Sequence, residues 1–130
     1  MKALLPTGWP RPKGYANGVS AKGRVIVTAG VVGWNAEERF ESDDLAAQLR
    51  QVLLNTLSIL AEDGAGPEHI VRMTWYVTDI ADYRARLKEI GLVYRALIGK
   101  NFPAMAVVGV TALVEPRAKI EIETMAVVPD

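Results

Sequence analysis

The run Lys119-Ile120-Glu121-Ile122-Glu123 strictly alternates apolar and charged residues, and that alternation most narrows what this chain can fold into. A period of two makes it a strand, with both isoleucines on one face and both carboxylates on the other. Such a strand belongs to a sheet with one packed face and one half-wet face, so the chain must also supply a layer to cover the isoleucines. At 130 residues there is room for one domain with a sizeable core, and residues 1–130 are read as a single unit with an N-terminal arm over 1–18.

In that arm, Pro6, Gly8, Pro10, Pro12, Gly14 and Gly18 exclude a helix, and Trp9 and Tyr15 call for something to pack on. Val25-Ile26-Val27-Thr28-Ala29, bounded by Gly23 and Gly30, predicts a buried strand entered from a hairpin. Gly33 then brings Trp34 to a strand exit, where it either packs or walls a ligand pocket. From Ser42 the period changes: Leu45, Leu49, Val52, Leu53, Thr56, Leu57 and Leu60 predict an amphipathic helix capped by Ser42 or Asp43 and stopped near Gly64. Ile70 to Thr78 is a second strand, with Val71, Met73, Trp75 and Val77 on one face and Arg72, Thr74, Tyr76 and Thr78 on the other. A second helix is expected from Asp79 to Gly99, with Gly91 inside it marking close packing or a kink. Strands at about 104–113 and 118–128 close the chain, joined through a turn at Val114-Glu115-Pro116-Arg117.

The order strand-strand, helix, strand, helix, strand-strand predicts an α+β or α/β domain with one mixed sheet and two helices on one face. The uncovered face then points to self-association. Fifteen basic and fifteen acidic side chains leave no basic field for nucleic acid, and nothing motivates a membrane partner. The absence of cysteine removes thiolate chemistry and disulfides, consistent with a reducing cytoplasm, and no signal peptide or spanning helix is expected. His69, the single histidine, reads as a surface residue, which disfavours a histidine triad or metal centre.

Gly14-Tyr15, the strand ending Thr28-Ala29-Gly30, the helix through Gln48 to Asn55, the strand Val71 to Asp79, Phe102-Pro103-Ala104 and Lys119 to Glu123 together resemble the Rid family of reactive-intermediate deaminases, YjgF-like proteins also labelled L-PSP endoribonucleases. The resemblance spans Tyr15 to Val128. It implies a chorismate-mutase-like ββαβαββ fold, a homotrimer, and pockets between subunits that bind small molecules. For the best-known branch it further implies hydrolysis of enamines or imines such as 2-aminoacrylate to a keto acid and ammonia, with no metal or cofactor.

Three positions depart from that family pattern. Met105 stands where the deaminating branch has an arginine that grips the substrate carboxylate, Val107 where some members have a cysteine, and Ala29 where a serine is usual. A charge-assisted hydrogen bond contributes about 1.5–3 kcal/mol, so losing a bidentate clamp should weaken carboxylate binding at least about tenfold. The chain therefore resembles an arginine-lacking branch. Glu121 matches the family glutamate and is the catalytic candidate, a carboxylate able to serve as general base or acid toward a water and an imine nitrogen, against the alternative of a solvated strand residue. Tyr15, Trp34, Met105 and Val107 are the substrate-binding candidates, Glu123 reads as structural, and Arg72 could replace the missing cation. Two functions follow: a deaminase acting on something other than 2-aminoacrylate, such as an aminomuconate-like intermediate, or a metabolite-binding protein without turnover. A ribonuclease is a weak third reading, because no histidine or basic patch is available for phosphate chemistry.

Overall fold

The computed structural model describes residues 1–130. The strand foreseen from the alternating run is the centre of the sheet. It runs over Ile120–Val128, and its inward side chains Ile120, Ile122, Thr124 and Ala126 are buried. Numbered along the chain, the strands are β1 (Lys2–Ala3), β2 (Val19–Ser20), β3 (Arg24–Val27), β4 (Val31–Val32), β5 (Ile70–Val77), β6 (Ala104–Gly109) and β7 (Ile120–Val128). The helices are α1 (Leu45–Ala61), α2 (Ile80–Ala85) and α3 (Leu87–Ile98), and a 3-10 turn over Pro67–His69 leads into β5.

The main sheet has the order β3-β7-β5-β6, with β4 also paired to β7. The β5-β6 pair is parallel and the pairs made by β7 are antiparallel, so the sheet is mixed. All helices cover one face, and the core between the layers is centred on Leu49, Val52, Leu53, Trp75, Ile120 and Ile122. On β5 the expected faces hold from Arg72 onward: Met73, Trp75 and Val77 are buried toward the helices, while Arg72, Thr74 and Tyr76 look outward; before it a register shift puts Ile70, and not the expected Val71, into the core. This is the α+β architecture that the element order foretold.

Several local expectations need correction. Val19–Ser20 does not form a hairpin with the next strand; it pairs antiparallel with Lys2–Ala3, while β3 crosses to β7. The β3 strand is also not buried, because it is a sheet edge whose Val25 and Val27 share the uncovered face and are 59% and 64% exposed. Its β-branched run reflects strand propensity on that face and not enclosure by the helices. Trp9 is likewise exposed instead of packing on the body.

The second helix is two helices. They break at Arg86, whose backbone (φ −122°, ψ 26°) leaves the helical region. Its guanidinium reaches Asp44 at 2.9 Å, Glu89 at 2.9 Å and Asp82 at 3.6 Å, tying the start of α1 to both short helices. Three carboxylates drawn from three elements fix the break there, whereas Gly91 causes neither kink nor close contact: a Cβ added to it would meet no atom within 4 Å. The cap of α1 is Asp44, one residue beyond the expected pair, with its carboxylate accepting from the Ala47 N–H at 3.0 Å. That bond and the Arg86 guanidinium hold the Asp44 carboxyl below the usual aspartate range.

Gln48 joins the layers. It is 1% exposed, its amide donates to the Ser42 and Arg117 carbonyls at 2.9 Å each, and its oxygen accepts from the Lys119 N–H at 2.7 Å. Nearby, α1 lies so close to β4 that a Cβ on Gly33 would be 2.6 Å from the Gln48 carbonyl oxygen. These two contacts set where β7 begins, and so where Glu121 stands.

Candidate functional site

Two concave regions meet at the outer edge of β6. The arm reaches that edge through Ala16, whose N–H donates to the Pro103 carbonyl at 2.9 Å and which bridges to Ala104. This contact sets Tyr15 over the end of the sheet. On the helix side of Tyr15 lies a cavity of about 510 Å³. Its floor is Trp75 and its β6 register partner Val107, with Met105 next to them, and its helical wall carries Tyr83, Leu87, Ile90, Gly91 and Tyr94, with the exposed Arg95 at the rim. Lys13, Gly14, Tyr15 and Phe102 close the mouth. A second hollow of about 630 Å³ lies between the arm and the body, and Gly14, Tyr15 and Phe102 form the partition that both share.

The first cavity is aromatic and rigidly framed. Trp75 meets Tyr83 edge-on at 6.5 Å and Tyr94 at 6.0 Å, while Tyr94 stacks on Phe102 at 6.5 Å. The Tyr94 hydroxyl donates to the Asn101 carbonyl at 2.6 Å, which pins the segment before Phe102 to α3. Burial pushes the Tyr83 and Tyr94 hydroxyls up from the ordinary phenol range, so both remain neutral donors.

Glu121 is elsewhere. It pairs with Tyr76 across the β5-β7 ladder and with Val32 across β4-β7, and its side chain is on the sheet face away from the helices. The Glu121 carboxylate rests against Gly30, where an added Cβ would stand 2.3 Å from its Oε2. That segment is fixed by a double contact: the Thr28 N–H donates to the Thr124 carbonyl at 2.9 Å, and the Thr124 N–H donates to the Thr28 hydroxyl at 3.1 Å. Beside Glu121 on the same face, the Tyr76 hydroxyl donates to Glu123 at 2.5 Å. The bond to Glu123, with a smaller contribution from the Glu121 charge, raises the Tyr76 hydroxyl above its ordinary range. Glu123 is thereby engaged with Tyr76, and Arg72 lines a shallow hollow on this face with Thr74 and Glu123.

Within one chain, then, Tyr15, Met105 and Val107 come together on the β6 side, facing the helices. Glu121 lies on the other face, and Trp34, beyond the end of β4, packs 5.9 Å from Phe40 and gives its carbonyl to the Asn55 amide at 2.8 Å. Because β4 pairs with β7, Trp34 lies toward β7 in the strand order and not beside Met105 on the edge strand β6. The β-alternation in each segment is readable from sequence, but which segments share a face or an edge depends on strand order. Lys13, Arg95, the bridging role of Gln48 and the Tyr76–Glu123 bond were not singled out by sequence; only the period of two, which puts Tyr76 and Glu123 on outward faces, hinted at the last. No group of three or more histidine, aspartate or glutamate side chains converges to hold a metal, and no helix is long and apolar enough to cross a membrane.

Comparison with known proteins agrees with this architecture. The family model described as Endoribonuclease L-PSP matches residues 10–128. A RutC family protein of Aquifex aeolicus is 34% identical over 128 residues, covering 98% of this chain and 99% of the relative. A 2-iminobutanoate/2-iminopropanoate deaminase of Escherichia coli is 34% identical over 116 residues, covering 87% and 86%. Among solved structures, a Rid-family protein from Yersinia pestis superposes with a TM-score of 0.82 at 34% identity, covering 98% of each chain.

Proposed function

Because the chain belongs to the Rid (YjgF/L-PSP) family, we propose that it is a hydrolytic enamine or imine deaminase whose site is shared between two copies in a homotrimer. One copy supplies the cavity over Met105 and Val107 with Tyr15 at its mouth; the neighbouring copy supplies Glu121, with Trp34 beside it. The observation that carries this reading is the split itself: Glu121 lies on the opposite face of the sheet from Tyr15, Met105 and Val107, and only a second molecule can bring it over their cavity. The exposed apolar residues of the open face, Val25, Val27, Val108 and Met125, support burial against other copies. The Escherichia coli deaminase supports the reaction class, and a chain without cysteine suits the cytoplasm.

In the reaction, water adds to the carbon of the C=N bond. Glu121 takes a proton from that water as it attacks and gives it to the nitrogen, forming a carbinolamine; it then takes the proton of the new hydroxyl and passes it to the nitrogen as the C–N bond breaks, so that the C=O bond forms and ammonia leaves. The chemistry needs no metal or cofactor. With Met105 at the floor, the substrate is something other than 2-aminoacrylate, and an aminomuconate-like intermediate suits the cavity's size and lining. Ammonia release measured across freshly generated imines should show turnover that Glu121→Gln lowers roughly 100-fold or more. Equal rates in the variant would remove Glu121 from the mechanism.

A second reading, binding without turnover, draws on the apolar cavity, which holds no carboxylate of its own. Recovery of chemically unchanged ligand after saturable binding, with no ammonia from any imine, would favour it.

A further inference from the structure

The charges around the β6 cavity are one-sided. Only two charged side chains line it, Lys13 from the arm and Arg95 from α3, and both are cationic. Both are exposed and neither joins any of the chain's ion pairs. Arg86, by contrast, is neutralised by Asp44, Asp82 and Glu89, Arg117 by Asp43 and Arg24 by Asp63. Two unpaired cations at the mouth of an otherwise aromatic and aliphatic hollow give it a positive potential that is focused by low-dielectric walls.

The cavity is also much larger than a three-carbon imino acid needs. Its volume of about 510 Å³ falls in the range used for ligands with a ring or an extended chain. The helical wall is recessed at Gly91, where a Cβ would touch nothing, leaving space beside Tyr83 and Tyr94 for a flat group. Flat unsaturated groups gain from stacking or edge contacts with such rings, and a thioether at Met105 adds a compatible soft contact.

Resting on the deaminase reading, we infer that the substrate is a carboxylic acid with a planar, unsaturated, apolar body. Its body lies against Trp75, Tyr94 and Met105, and its carboxylate is held at the mouth by Lys13 and Arg95. The anion-binding role is thereby moved from the floor of the pocket, at position 105, to its rim. Rim cations on flexible side chains bind less tightly than a buried bidentate arginine but accept acids of different lengths.

Binding can be tested without turnover, in the full-length protein carrying Glu121→Gln. Titration calorimetry with trans-cinnamate, the neutral trans-cinnamamide and pyruvate should give saturable binding of cinnamate at least about tenfold tighter than pyruvate, weakening as salt is raised. Replacing both cations, Lys13→Met with Arg95→Met, should weaken cinnamate about fivefold or more and leave cinnamamide within about twofold. Gly91→Leu, which adds bulk only to the empty wall, should abolish binding of both aromatic ligands while the protein stays folded by circular dichroism.

Undiminished cinnamate affinity in the double variant, or an equal loss for cinnamate and cinnamamide, overturns the rim clamp. Binding of cinnamate no tighter than that of pyruvate overturns the substrate class. The two readings fail separately: cinnamate binding with no ammonia from any imine defeats the deaminase alone, whereas imine hydrolysis that cinnamate does not inhibit defeats the substrate class alone.

Discussion

At the scale of single residues, the position of Glu121 depends on Gly30. A methyl group there would stand 2.3 Å from Oε2 and 2.7 Å from Cδ, but the crowded atoms belong to the free end of a side chain, which can swing away. Gly30→Ala should therefore change stability by less than about 1 kcal/mol. A carboxylate displaced by an ångström or so should lower kcat for imine hydrolysis by about 10- to 100-fold. Thermal melts and kinetics run on the same preparation separate the two effects, and an unchanged kcat would mean that the observed carboxylate position is not the working one. The sequence reading placed Glu121 on an outward face, correctly, since Ile120 and Ile122 are buried on either side of it. It could not tell that Gly30 is spared a side chain to make room for it, because that contact joins segments about ninety residues apart.

At the scale of elements, β7 is anchored to α1 by one buried amide. Replacing Gln48 with leucine would leave the Lys119 N–H and the Ser42 and Arg117 carbonyls without their present partner, at a cost of about 2–4 kcal/mol. Urea unfolding should register this as a lower midpoint, and a loss below about 1 kcal/mol would show that water replaces the amide. The α1 helix and the strands β5 and β7 were legible because each has a clean apolar period over many residues. The break at Arg86 was not. The stretch from Asp79 to Gly99 has one continuous helical pattern, and what interrupts it is an ion-pair hub completed by Asp44, more than forty residues earlier. The exposure of β3 was hidden for a related reason: a β-branched apolar run looks the same whether it faces the helices or the open side of a sheet.

For the whole molecule, the open face decides what the protein is. Helices cover one side of the sheet; the other presents Val25, Val27, Val108 and Met125 among Tyr76, Glu121 and Glu123. The need for a cover was visible in the element count, two helices' worth of apolar stripe against a sheet with apolar residues on both faces. Hidden from sequence was the division of the candidate site, because strand order alone puts Met105 and Val107 on the edge strand β6, Glu121 on the central β7 and Trp34 beyond β4. In the proposed trimer, each site would need one intact cavity and one intact Glu121 from different copies.

Complementation between two inactive variants tests that claim most directly. Glu121→Gln protein and Gly91→Leu protein, each deficient alone, are mixed in equal amounts, dissociated and reassembled, and ammonia release from imines is measured. Shared sites predict recovery of about a quarter of wild-type activity, the fraction of random pairings that unite an intact cavity with an intact glutamate. Mixed oligomers that form and remain as inactive as the parents would contradict a site built from two copies.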